Sequence, residues 1–120
     1  PEIYFYADRT SATGYLYTYP LVENQPYNVV MQQQMVNEIE KAKPAYIVFC
    51  NVAYSWLVQK GTPQIIFNWG DKYFHEYYTP VGFADFFKDK GWQTYWGDDI
   101  KNRTAQPEST IIVFQRNATK

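Results

Sequence analysis

The stretch NVVMQQQMVNEIEKAKPAYIVFCN, residues 28–51, frames the rest of the chain. Met31, Met35, Ile39 and Ala42 recur at helical spacing with Val36 beside them, while Gln33, Asn37, Glu38, Glu40 and Lys41 fall on the other face. Asn28 or Asn24 is placed to cap the start, and Pro44 stops the helix. The spacing therefore predicts a helix over about 28–43 that packs through Met31, Met35 and Ile39. The run AYIVFCN, 45–51, follows at once and is apolar without alternation. Such a run predicts a strand covered on both faces, the habit of central strands in α/β sheets.

Upstream, EIYFYA at 2–7 is rich in aromatic and β-branched residues and reads as a strand. Residues 8–13 form a turn, with Asp, Ser and Thr able to bond neighbouring backbone. Gly14 precedes a weaker extended segment, YLYTYP, ended by Pro20. A helix between Tyr4 and Val48 predicts a right-handed crossover with parallel neighbours, so that 3–6 and 45–50 are central strands.

Downstream, VAYSWLVQKG is ambiguous between loop and short helical turn. QIIFN alone resembles a strand, yet Thr62-Pro63 is an N-cap followed by a helix-first proline. Ile66, Trp69, Tyr73 and Tyr77 then share one helical face, at the cost of Gly70 inside it, about 1 kcal/mol. We read this segment as a helix. Residues 79–87 and 92–96 read as a hairpin around KDKG, 97–109 as a loop, 110–116 as a last strand and 117–120 as a frayed end. The expectation is one α/β domain: a mixed sheet of about five strands, helices packed on it, its last three strands an antiparallel meander.

The chain has 120 residues, which bounds it to one domain with an ordinary core. Twelve Tyr, eight Phe and four Trp give it an aromatic share of 20%. Most such rings pack a core with their polar tips at the surface; the sharper reading is a sugar- or base-stacking surface. Net charge is -1 with no basic stripe, which argues against a nucleic-acid partner. Cys50 is the single cysteine, excludes an internal disulfide and reads as a small strand hydrophobe.

No constellation of chemistry stands out. His75 is the only histidine and has no second ligand nearby in sequence, so no metal site is expected. Ser55 lacks the Gly-x-Ser-x-Gly elbow of a hydrolase nucleophile. ADRTSATG has one glycine and no lysine, hence no P-loop, and no cofactor is implied. Asp98-Asp99 in GDD is a candidate for substrate binding, through a divalent cation beside a sugar phosphate; a bare acidic pair in a polar loop is more often simply solvated. Asn102 and Asn117 begin glycosylation sequons.

The opening PEIYFYADRTSATGYLYTYPL resembles the segment just after the last transmembrane helix of bacterial multi-pass glycosyltransferases. These are related to dolichyl-phosphate-mannose protein mannosyltransferases and aminoarabinose lipid A transferases. Glu2, Ile3, Tyr4, Asp8, Arg9, Ala12, Thr13, Tyr15, Pro20 and Leu21 carry the resemblance, with MQQQMVNEIEKAKPAYIVF, SWL and YYTPVGFAD behind them. Gly14 stands where the family pattern has a second arginine, leaving Arg9 alone in the turn. The resemblance implies an extracytoplasmic C-terminal domain, on the periplasmic face of the bacterial inner membrane, cut from a larger protein. Its partners would be its own transmembrane domain and a polyprenyl-phosphate sugar or glycan acceptor. The catalytic acid would lie outside this chain, and the domain's role would be structural or acceptor-positioning.

Within that reading Asp8 and Arg9 are substrate-binding candidates. They would stand at the carboxyl end of the first strand, where open α/β sheets place their crevices. The plainer alternative for Arg9 is a surface pair with a local carboxylate. The alternative for the whole chain is an independent carbohydrate-binding module with an aromatic stacking surface.

Overall fold

The computed structural model describes residues 2–119. It is a mixed α/β domain in which an antiparallel sheet carries helices on one face. In chain order the elements are α1 (Glu2–Ala7), α2 (Tyr19–Val22), α3 (Asn28–Ala42), β1 (Tyr46–Val52), α4 (Ile65–Tyr77), β2 (Tyr78–Phe87), β3 (Gly91–Trp96), a 3-10 turn (Gly97–Ile100) and β4 (Ser109–Arg116). Among the described residues no helix is long and apolar enough to cross a membrane.

The two long helices form where the sequence periodicity puts them. α3 ends as its sequence dictates: Lys43 turns left-handed at φ 47°, donates its N–H to the Ile39 carbonyl at 2.8 Å, and Pro44 prevents continuation. Its start differs from expectation. Asn28 is the first helical residue rather than a cap, and its Nδ2 donates back to the Glu23 carbonyl at 3.0 Å. The buried stripe of α3 is Gln32, Val36 and Ile39, with Met31 and Met35 partly buried and Ala42 exposed.

α4 begins at Ile65, later than the Thr62-Pro63 signal suggests. Thr62 is occupied elsewhere: its hydroxyl donates to the Val22 carbonyl at 2.6 Å and accepts the Gln59 N–H at 3.0 Å. The free N–H at the start of α4 is taken instead by Gln32 of α3. Its Oε1 accepts from the Ile66 N–H at 3.1 Å, while its Nε2 donates to the carbonyls of Leu21 and Pro63 at 2.7 and 2.9 Å. One fully buried amide thus caps a helix from another helix and ties α2 to both.

The sheet runs β1-β4-β2-β3, antiparallel throughout. The β2–β3 hairpin and the β4 strand agree with the sequence reading. Four other expectations are corrected. The sheet has four strands rather than about five. Residues 2–7 are helical, because no strand lies alongside to take up their backbone groups; instead the Arg9 N–H closes onto the Tyr4 carbonyl at 3.0 Å. Residues 15–19 form no strand, so the parallel crossover is absent. The last three strands are not a meander, since β4 inserts between β1 and β2 and leaves β1 at the edge. The end of the chain is also better held than expected: the Asn117 N–H donates to the Tyr77 carbonyl at 2.8 Å, and its Oδ1 accepts from Thr79 at 2.6 Å. Residue 120 of that segment lies outside the described residues.

The core lies between the helices and one sheet face. Leu21, Val22, Val36 and Ile66 form one buried cluster, and Ile39, Tyr73 and Tyr78 a second against Ile47 and Phe114. Each fully buried aliphatic side chain contributes about 1.5–3 kcal/mol. The strand register puts Phe49, Ile112 and Phe83 on this covered side.

Candidate functional site

Alternation in the same register aims Tyr46, Val48, Ile111, Val113, Phe86, Trp92 and Trp96 at the opposite face. No helix covers it. Residues 45–51 were expected to be buried on both sides; one side is bare, and Tyr46 and Val48 are exposed there. The outward-facing side chains that cross-strand pairing aligns are uncharged. From the edge strand β3, Trp96 reaches over Gly82 of β2, so close that a Cβ at position 82 would meet the indole at 2.4 Å. Trp96 itself is 55% exposed.

On the helical side, a groove of about 410 Å³ opens where the C-terminal ends of α3 and α4 meet the end of β4. Arg116, the last residue of β4, sits in its wall. One guanidinium nitrogen, Nη1, donates to the phenol oxygens of Tyr73 at 3.2 Å and Tyr78 at 3.1 Å. Those two bonds hold the Arg116 cation above its ordinary pKa. Burial pushes the Tyr78 phenol up, against the pull of Arg116. The Tyr78 hydroxyl in turn donates to the Pro44 carbonyl at 2.9 Å, which locks this end of the sheet to the end of α3. Trp69 stacks on Tyr73 with ring centroids 4.8 Å apart and donates its indole N–H to Glu40 at 2.8 Å.

The residues singled out from sequence lie elsewhere. Asp8 and Arg9 follow α1, which buries none of its residues, and both are exposed. They stand at the end of a helix, not of a strand, with Asp8 left-handed at φ 51°. The surface carboxylate pairing weighed for Arg9 is not formed among the described residues. Gly14 donates its N–H to Glu38 at 3.0 Å and has open space around its Cα. Asp98 pairs with Lys101 at 2.6 Å, and the Asp99 carbonyl accepts from Arg103 Nε at 3.0 Å. Arg103 also lies 3.9 Å above the Tyr95 ring. No hydrogen bond or ion pair among the described residues joins Asp8-Arg9 to Asp98-Asp99.

His75 Nδ1 lies 2.7 Å from the Asp71 carbonyl on the exposed side of α4. The described residues contain no group of three or more His, Cys, Asp or Glu placed to hold a metal ion.

Comparison with protein-family models, with curated proteins and with solved structures finds no match.

Sequence reasoning passed over Arg116 because it ends an apolar strand and reads as a polar stop. The signal that marks it is a lone arginine closing TIIVFQR in a chain whose preceding helix ends in a run of tyrosines.

Proposed function

We propose that this chain is the extracytoplasmic C-terminal domain of a membrane glycosyltransferase that uses a polyprenyl-phosphate-sugar donor, with a structural or acceptor-positioning role. The observation that carries the reading is the one-sided sheet. A face bearing Val48, Ile111, Val113, Phe86, Trp92 and Trp96 is what a domain presents when it packs against a further apolar body. The uncharged character of that face suits a protein or membrane-proximal surface better than a soluble charged substrate. The family resemblance of the opening residues names the body as the domain's own transmembrane part.

The test has two arms. The isolated 120-residue chain, given polyprenyl-phosphate sugar and an acceptor, transfers no sugar. In the membrane enzyme that the reading requires, Val48→Lys or Trp96→Glu lowers transfer by roughly tenfold or more while the domain keeps its melting temperature. Turnover by the isolated chain, or full transfer by both face variants, overturns the proposal.

A second reading rests on Trp96 alone. An indole packed against a glycine in a residue that stays exposed offers an aromatic surface to a sugar, which favours a carbohydrate-binding module. Saturable binding of a neutral oligosaccharide by the isolated chain, lost in Trp96→Ala, selects this reading over the first.

A further inference from the structure

We infer that the groove at Arg116 is a binding site for the phosphate group of a phosphate ester. The site is on the opposite side of the sheet from the bare face and does not depend on the reading above.

The argument starts from unmatched charge. The groove gathers Lys43, Lys72 and Arg116 with Glu40 and Glu76. Among the described residues the only ion pairs are His75 with Asp71 and Lys101 with Asp98, so none of the three cations has a carboxylate partner. Glu40 accepts the Trp69 indole N–H. Glu76 adjoins Tyr77 in sequence and pushes its phenol pKa up. The three cations of the groove outnumber its two carboxylates, and among the described residues none of them is paired with either.

Arg116 is also oriented. An arginine has five N–H donors in a rigid fork. The two phenols take those of Nη1, and among the described residues no hydrogen bond occupies Nε or Nη2. Nε and Nη2 form the edge that meets an oxyanion through two parallel bonds. The Tyr77 and Tyr78 rings lie 5.5 and 5.4 Å from the guanidinium carbon, which limits how far it can swing. Neutral phenol anchors leave the cation's full charge available, where a carboxylate anchor would neutralise it. A tetrahedral dianion meets Arg116 and the two lysines together. A single carboxylate offers fewer oxygens and half the charge, so phosphate is the better match.

The group could arrive on a soluble ester or on a lipid headgroup, and the experiment separates the two. The whole chain is titrated with inorganic phosphate and with phenyl phosphate at constant ionic strength, followed by amide and indole NMR signals. It is then sedimented with phosphatidylcholine vesicles, with and without phosphatidic acid. We expect saturable shifts at Lys43, Lys72, Arg116 and the Trp69 indole. Arg116→Lys should weaken binding by roughly tenfold, since a point charge cannot reproduce the fork. Lys72→Gln, on the exposed side of α4 and harmless to folding, should weaken it by about threefold. Asp98→Asn should leave it unchanged. Shifts with the soluble esters alone identify a soluble ligand; co-sedimentation that requires phosphatidic acid and is lost in Arg116→Lys identifies a headgroup. No saturable shift with any of the three probes, or equal affinity in the parent and Lys72→Gln with Arg116→Lys still folded, overturns the site.

Discussion

Gly82 and Trp96 are opposed across the β2–β3 ladder, and the indole of Trp96 occupies the space that a side chain at position 82 would fill. Because the ring is the outer end of an exposed side chain, it has room to swing into solvent. Gly82→Ala should therefore displace the ring rather than break the sheet. The expected loss is about 1 kcal/mol, read from chemical denaturation. The indole N–H signal assigned through Trp96→Phe should move toward its solvent-exposed position. An unmoved signal would show that the strand, not the ring, gives way.

Gln32→Leu should be among the most damaging single changes in the chain. It leaves the Leu21 and Pro63 carbonyls and the Ile66 N–H buried without the amide that serves them. Orphaned groups of this kind cost about 1–3 kcal/mol each, so a loss of roughly 3 kcal/mol or more is expected. Gln33→Leu, one residue along on the exposed side of α3, should stay within about 0.5 kcal/mol. Equal effects of the two would remove Gln32 from its role as the tie.

Thr110 and Asp85 lie opposite each other in the β2–β4 register, both buried. Asp85 accepts the Gln106 N–H at 3.4 Å, and the Thr110 hydroxyl has no partner among the described residues. Thr110→Val keeps the shape and removes an unmatched polar atom, so it should be neutral or stabilising by up to about 1 kcal/mol. A clear destabilisation would mean that the hydroxyl does bond within the fold.

Cys50 gives a pH-dependent readout. Burial pushes its thiol above the ordinary value of 9.0. The folded state thus holds the proton to higher pH than the unfolded chain. Its contribution to stability is whole below the ordinary value and is lost as pH rises through the folded one. Alkylation of the folded protein by iodoacetamide should accordingly lag a cysteine peptide at pH 8, and its half-rise should come at higher pH. Matching profiles would place the thiol in full contact with water.

Much of the covered side of the fold is legible in the sequence, and little of the open side is. The Met35–Ile39 spacing, the Ile66–Tyr73 face and the turn at KDKG are local patterns, and local hydrogen bonds execute them. The strand reading of residues 2–7 fails for a reason of another kind. A strand is completed by a neighbour, and composition does not say whether one is present. The same limit applies to β1, whose unbroken apolar run predicts two covered faces while the fold leaves one bare. Asp8, Arg9, Asp98 and Asp99 are conspicuous because they cluster in polar loops, and the fold leaves them solvated. Arg116, Tyr73 and Tyr78 are inconspicuous singly, and only the meeting of α4, β2 and β4 brings them together.

The bonds of Gln32 have a consequence for how the molecule breathes. A single side chain carries contacts to the end of α2, the segment before α4 and the first turn of α4 itself. If the Gln32 amide moves away, all three are stranded together. The helical layer should therefore open as one cooperative unit, and its amide protons should exchange with deuterium at a shared, slow rate set by that opening. α1, which buries nothing, should exchange within the dead time.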